Sequence, residues 1–171
     1  MGKMSRTKGA VFEREIINSI NVGMNQRGFH IEGQRNLDQY QEKGLGDARG
    51  LPGIMLECKR YKTATHGQIE AWWEETKNQA NDEGQIPVLC YRADRQPAYF
   101  VIAGAAAAGE FVPYGVQEGD PVDPSVWNYD RAIHVPLISF IEWYAAVVSE
   151  AKEAIDEKSE YFALQGRTVM H

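Results

Sequence analysis

Apolar residues recur at helical spacing in three parts of the chain. In the first part, Phe12, Ile16 and Ile20 stand four residues apart, so a helix would place them on one face. Gly28 and Gly84 directly follow the first two of these parts, as glycine commonly does at the end of a helix. Pro136 directly precedes the third, and proline is common at the start of a helix. The predicted helices cover residues 8–27, 66–83 and 137–158.

Short apolar runs between the helices predict strands. The stronger runs are rich in β-branched and aromatic residues and cover residues 54–58, 87–91 and 99–102. Weaker strand signals stand at residues 29–33, 47–49 and 132–135. Turn-forming residues predict loops at 34–46 and 110–130, while the alanine-rich residues 103–109 fit either a short helix or a connector.

The order of these elements predicts an α/β fold, in which helices flank one mixed sheet. A length of 171 residues suits one domain, and two cysteines do not make a disulfide scaffold, which favours a reducing, cytoplasmic setting. No apolar run approaches the roughly 20 residues that a membrane helix needs. We therefore expect no membrane partner. We also expect no organic cofactor.

The formal charge of −6 is unevenly distributed along the chain. Residues 1–62 carry 11 Lys/Arg and 7 Asp/Glu, a charge of +4, whereas residues 63–171 carry 7 and 17, a charge of −10. The acidic total alone argues against a nucleic-acid partner, but binding depends on the local field. The basic first third is able to contact phosphates, or its lysines only solubilise a chain end.

A candidate site lies at the end of the strand predicted at residues 54–58. Side chains two residues apart share one face of a strand, so Glu57 and Lys59 lie together while Cys58 faces the other way. A strand–turn–strand hairpin would bring Asp47 beside Glu57. Two converging carboxylates repel each other unless a cation joins them, and oxygen ligands suit Mg²⁺ or Mn²⁺.

Glu13 is a third candidate carboxylate. It precedes Ile16 and Ile20 by three and seven residues, which places it on or beside the apolar face of the first helix. A glutamate at the edge of a core-facing stripe is costly unless it has a partner. A metal site at the sheet would supply that partner.

Each of these signals also has an ordinary structural explanation. Glu57 and Lys59 alone fit a surface ion pair, Asp47 among glycines fits a turn residue, and Glu13 fits the favourable charge near a helix start. Their joint order is more specific than any one of them. A helix glutamate is followed by an aspartate, a short spacer and an apolar strand that ends in E-x-K.

This order resembles the PD-(D/E)XK nuclease superfamily. Over about residues 6–102, the segments KGAVFERE, RGFHIE, GD, IMLECK and IPVLCYR are similar to archaeal-type Holliday junction resolvases and their phage and bacterial relatives. The resemblance implies a restriction-endonuclease-like core at residues 1–102, with a loop and a C-terminal helical extension, residues 103–171, packed on the same domain. The chain departs from the pattern where Gly46, rather than proline, precedes Asp47.

The resemblance also implies a function. The chain would be a Mg²⁺- or Mn²⁺-dependent DNA endonuclease, with a four-way junction as its first substrate and a homodimer as its active form. The alternatives are a nuclease that acts on duplex, nicked or flapped DNA, and a non-catalytic nucleic-acid-binding protein on the same fold. If the source is a phage, the protein would work in the cytoplasm of the host.

Residue roles follow from the resemblance and from the charges of the basic first third. The expected catalytic residues are Glu13, Asp47, Glu57 and Lys59. The expected metal ligands are Glu13, Asp47, Glu57 and the backbone carbonyl of Cys58. The expected DNA contacts are Lys8, Arg14, Arg35, Arg49, Arg60 and Lys62. Lys59 would either orient or deprotonate the attacking water or stabilise the charge that develops.

Overall fold

The computed structural model describes residues 3–37, 46–83, 85–109 and 124–168. Its helices are α1 (Lys3–Gln26), α2 (His66–Glu83), the short α3 (Gly104–Ala107) and α4 (Leu137–Thr168). Its strands are β1 (Gln34–Arg35), β2 (Ala48–Arg49), β3 (Ile54–Tyr61), β4 (Ile86–Ala93), β5 (Tyr99–Ile102) and β6 (Ile133–Val135). Two short 3₁₀ helices, Pro124–Trp127 and Tyr129–Arg131, precede β6. Most of the predicted loop at 110–130 lies outside the described residues.

Four strands form a mixed sheet in the order β3-β4-β5-β6. β3 and β4 are parallel and α2 connects them, whereas β4–β5 and β5–β6 are antiparallel pairs. The helices lie against this sheet, which confirms the predicted fold class. β1 and β2 form a separate antiparallel pair.

Local sequence signals explain where the two long helices before β4 stop and start. Gly28 adopts a φ of 85°, and the Phe29 N–H donates to the Met24 carbonyl at 3.0 Å, which closes the end of α1. α2 begins with a reciprocal cap, in which the Thr65 N–H donates to Gln68 Oε1 and the Gln68 N–H donates to Thr65 Oγ1. These two ends agree with the sequence predictions.

The strand predicted at residues 29–33 is wrong. The backbone of this segment binds asparagine side chains of α1 instead of a neighbouring strand. The Asn21 amide donates to the Gly33 carbonyl at 2.9 Å and accepts from the Gly33 N–H at 2.8 Å, and Asn25 donates to the Ile31 carbonyl. The first strand, β1, therefore lies at Gln34–Arg35, inside the predicted loop.

Residues beyond position 102 contribute to the same core as α1, α2 and the strands β3 to β5. The buried cluster includes Trp127 and, from α4, Phe140 and Tyr144. The Trp73 indole of α2 donates to the Trp127 carbonyl at 2.8 Å, and the Tyr144 hydroxyl donates to the Pro52 carbonyl at 2.8 Å. β6 also extends the sheet, so this part of the chain helps to hold the strands in place.

Among the helices that the structure describes, none combines the length and the apolar composition that a membrane span requires.

Candidate active site

Glu57 and Lys59 lie side by side in the middle of β3, which continues to Tyr61, beyond the predicted strand end at residue 58. The Lys59 Nζ atom is 3.2 Å from Glu57 Oε1, as the two-residue repeat of a strand predicts. Both side chains are largely enclosed, with exposed fractions of 13% for Glu57 and 18% for Lys59. The ion pair is thus more than a surface contact, because water has little access to screen it.

Asp47 reaches β3 through two hydrogen bonds. Its backbone N–H donates to the Leu56 carbonyl at 2.9 Å, and its side-chain Oδ2 accepts from the Cys58 N–H at 2.7 Å. The predicted hairpin is only partly right, because β2 pairs with β1 rather than with β3. Asp47 nevertheless lies beside Glu57, the residue between its two partners.

Gly46 allows this approach. A Cβ atom at position 46 would lie 2.8 Å from the Leu56 carbonyl oxygen and 2.7 Å from the Met55 sulfur. The carbonyl belongs to the strand backbone that receives the Asp47 N–H, so it cannot move without breaking that bond. The glycine before Asp47, a departure from the superfamily pattern, therefore has a steric reason in this fold.

The carboxylates of this site are costly to ionise. Burial and the charge of Glu57 raise the pKa of Asp47 to about 8, although its bond from the Cys58 N–H acts in the opposite direction. Burial also raises the pKa of Glu57, against the lowering effect of Lys59. The charge of Glu13 makes a smaller contribution to the rise in both pKa values.

Glu13 projects from α1 and has a basic partner. The Arg35 Nε donates to Glu13 Oε2 at 2.7 Å, and the side chains are only 18% and 12% exposed, respectively. The sequence predicts a metal as the partner of Glu13 and DNA as the partner of Arg35. In this structure the two residues partner each other, which fixes Glu13 at the edge of the site.

Sequence reasoning missed Glu75. The Lys59 Nζ atom lies 3.1 Å from Glu75 Oε2, so its ammonium bridges a strand carboxylate and a helix carboxylate. Burial lowers the pKa of Lys59, but the charges of Glu57 and Glu75 outweigh it, and the net pKa is raised. Only the position of Glu75, three residues after Trp72 on α2, hints that it faces the sheet.

The donor set fits a divalent cation in its chemistry. Asp47 and Glu57 are neighbouring buried carboxylates, and a cation would remove the repulsion that raises their pKa values. Across the described residues, no three His, Cys, Asp or Glu side chains are arranged as a metal-binding cluster. Glu13, held by Arg35, and the Cys58 carbonyl remain predicted ligands.

The Cys58 thiol lies on the opposite face of β3 from Glu57. It hydrogen-bonds with Cys90 of β4, and this bond together with burial raises its pKa well above the ordinary value. A thiol with a raised pKa is a poor nucleophile. The Cys58 side chain therefore packs against the core rather than taking part in the chemistry.

The predicted DNA contacts lie in two groups on either side of α1. Arg14, Arg35 and Arg49 line one depression, which we call the α1–β1 groove. Lys8 and Arg60 line a second, of about 560 Å³, which we call the α1–β4 groove. Arg92, for which the sequence predicts no role, lines it too and is paired there with Glu15 at 2.8 Å. Arg60 is also paired with Asp94 at 2.6 Å. Lys62 is exposed just beyond β3.

Comparisons with known proteins found one family model and one solved structure similar to this chain. A family model described as "Phage putative PDDEXK endonuclease" matches residues 4–114, more than half of the chain. The solved structure of Archaeoglobus fulgidus Hjc, described as a Holliday junction resolvase, is similar with a TM-score of 0.42 and 12% sequence identity. That match covers 78% of this chain and 98% of the Hjc chain. No curated protein matches the sequence.

Proposed function

Because the chain belongs to this family of phage PDDEXK endonucleases, we propose that it hydrolyses phosphodiester bonds of DNA with the help of Mg²⁺ or Mn²⁺. The observation that carries the proposal is the meeting of Asp47, Glu57 and Lys59 at the middle of β3. A pair of buried carboxylates beside an ammonium group provides a place for a cation and a positive charge for a phosphate. The reaction would take place in the cytoplasm of the phage host.

In this proposal Asp47 and Glu57 hold the cation. The Cys58 carbonyl is a further ligand, and Glu13 completes the site directly or through a water molecule. A bound divalent cation makes water more acidic and neutralises the charge that develops on the phosphate. Arg35 keeps Glu13 oriented through the contact at 2.7 Å.

We assign Lys59 to charge stabilisation rather than to proton removal. Its ammonium group is held by Glu57 and Glu75, and the raised pKa keeps it protonated near neutral pH. A protonated lysine donates hydrogen bonds to a phosphate oxygen but has no lone pair with which to accept a proton from water. Of the roles that the sequence left open, this is the one that its surroundings favour.

The substrate is branched DNA in this proposal, with a four-way junction as the first choice. The α1–β1 groove offers three arginines to the phosphates of one DNA arm. On the other side of α1, the α1–β4 groove adds Lys8 for a second arm, since its two arginines are paired with Asp94 and Glu15. The sequence motifs shared with junction resolvases also favour this substrate. Two symmetric cuts in one junction require two active sites, so we propose a homodimer.

A cleavage assay tests the proposal. The protein is incubated with Mg²⁺ and labelled four-way junctions, flaps, nicked DNA and plain duplex, and the products are mapped at nucleotide resolution. We expect paired symmetric cuts near the branch of the four-way junction. Asp47→Asn and Lys59→Ala should each abolish them, whereas Lys77→Ala, which removes a lysine paired with Glu74 on α2, should not.

The assay also separates the alternatives. Preferred cleavage of flaps, nicked DNA or duplex would keep the nuclease and replace the junction as its substrate. Binding of DNA without any metal-dependent cleavage by the unmutated protein would contradict the catalytic proposal. Cleavage that survives in both Asp47→Asn and Lys59→Ala would show that the reaction takes place elsewhere.

A further inference from the structure

An exposed aromatic ring adjoins the proposed active site on the same face of the sheet. Tyr61 follows Lys59 by two residues on β3, so their side chains leave the strand on the same side, about 7 Å apart along it. The ring of Tyr61 stacks on Trp72 of α2, with centroids 4.8 Å apart and planes at 28°. Trp72 is 8% exposed, whereas Tyr61 is 47% exposed. The indole therefore supports a ring that remains accessible to solvent.

Further aromatic contacts continue from Trp72 across the sheet and hold it in place. Trp72 lies 6.5 Å from the ring of Tyr91, which is the register partner of Lys59 on β4. The Tyr91 hydroxyl is 3.0 Å from Nδ1 of His134, so its ring is tied to β6 as well. Tyr61 thus packs on Trp72, and Trp72 in turn contacts Tyr91 of β4, the strand next to β3.

We infer that Tyr61, backed by Trp72, is a stacking surface for an unpaired base next to the bond that is cut. This inference rests on the proposed branched DNA substrate. It narrows that substrate to branched DNA with an accessible, unpaired base beside the bond that is cut. Bases stack on aromatic side chains regardless of sequence, because every base has a π face. A base inside an intact duplex is not accessible to such a ring, whereas bases at a branch point, flap or bulge are.

The charges around Tyr61 favour a base over a phosphate at this surface. On the exposed side of α2, Glu74 and Glu75 are paired with Lys77 and Lys59. Glu70 adds a further negative charge there, which disfavours a phosphate track over this helix. Lys62 is exposed directly after Tyr61 and provides a phosphate contact at one end of the ring. A strand that leaves the site would therefore turn its phosphate towards Lys62 and its base onto Tyr61.

Binding of a fluorescent substrate tests this inference without cleavage. A 2-aminopurine base is placed in an unpaired nucleotide beside the branch of a flap, and its quenching is followed on addition of Asp47→Asn protein. Combined with this background, Tyr61→Ala should lose the quenching and weaken flap binding between about 5-fold and 150-fold relative to duplex binding. Tyr61→Phe should keep both.

Two further variants keep the result interpretable. Tyr61→Leu covers Trp72 without offering a π face, so it should behave like Tyr61→Ala even if the alanine variant folds poorly. Val22→Ala removes another exposed apolar side chain, 56% exposed on α1, and should have no effect. Quenching and flap preference that persist in Tyr61→Ala or Tyr61→Leu would overturn the inference, as would their loss in Tyr61→Phe. Because no step requires cleavage, failure of the catalytic proposal would leave this outcome readable.

Discussion

The ammonium group of Lys59 lies 3.1 Å from the carboxylate of Glu75, a residue on the neighbouring helix α2. Together with Glu57, Glu75 fixes the direction of the lysine side chain, although 58% of the Glu75 side chain is exposed to solvent. An exposed partner adds a modest energy, about 0.2–1 kcal/mol. Glu75 matters mainly because it holds the Lys59 ammonium group in the position that the proposed chemistry requires.

Glu75→Gln should lower kcat for DNA cleavage by up to about 5-fold, with little change in KM. The reason is that Lys59 keeps its charge but loses a charged partner worth at most about 1 kcal/mol. Single-turnover and steady-state cleavage measure the two constants. Glu74→Gln is the matched control, since Glu74 pairs with Lys77 on the same helix. An equal fall in both variants would assign the effect to α2 charge rather than to Lys59.

Gly46→Ala should destabilise the protein and also reduce cleavage. The new methyl group would meet the Leu56 carbonyl at 2.8 Å, and overpacking of this kind costs about 1–3 kcal/mol. Thermal unfolding should record it as a fall of about 2–4 °C per kcal/mol. Gly9→Ala is the control, because α1 leaves open space there and alanine favours helices by about 0.5–1 kcal/mol. An unchanged melting temperature in Gly46→Ala would contradict the steric account.

The features that depend on the periodicity of a single helix or strand were predictable from the sequence. The bounds of α2 and β5 match the predictions, and the contact of Glu57 with Lys59 follows from the two-residue period of a strand. The start of α1 was not predictable, because its polar first residues carry no apolar periodicity. The segment at 29–33 alternates like a strand, but only the folded structure reveals that Asn21 takes its backbone hydrogen bonds.

The remaining parts of the site depend on contacts between distant residues. Arg35 meets Glu13 across 22 positions of sequence, and Glu75 meets Lys59 across 16. In each pair the two residues belong to different elements of the fold. The repeat of a single helix or strand therefore cannot predict that they meet. The sequence therefore predicts which carboxylates and lysine form the site but not which charges neutralise them.

Asp47 should make the stability of the metal-free protein depend on pH. Its pKa is raised from 3.8 to about 8 on folding, so the folded protein binds this proton more tightly than the unfolded chain does. The tighter binding of this proton stabilises the folded protein fully below pH 3.8, and that stabilisation is lost as the pH rises through about 8. With a chelator present, the melting temperature of the unmutated protein should therefore fall steadily relative to that of Asp47→Asn as the pH rises from 5 to 8. A difference independent of pH would show that Asp47 is ionised throughout.

Divalent cations should raise the melting temperature at pH 7. A ligand at 100 times its dissociation constant stabilises a protein by about 2.7 kcal/mol, which corresponds to roughly 5–10 °C at this size. Asp47→Asn and Glu57→Gln should each show a smaller rise. Glu15→Gln changes a carboxylate of α1 that pairs with Arg92 outside the site, and its rise should match the unmutated protein. An undiminished rise in Glu57→Gln would remove that residue from the metal ligands.

Arg35→Ala should separate the structural role of Glu13 from its role as a ligand. Without Arg35, a carboxylate that is only 12% exposed loses its partner at 2.7 Å, which costs about 1–3 kcal/mol. Adding Glu13→Gln should restore most of that loss in urea unfolding, because the amide carries no charge. If Glu13 binds the cation, Mg²⁺ should stabilise Arg35→Ala more than the unmutated protein, since the cation then replaces the guanidinium. An equal Mg²⁺ effect in the two proteins would leave Glu13 a purely structural partner of Arg35.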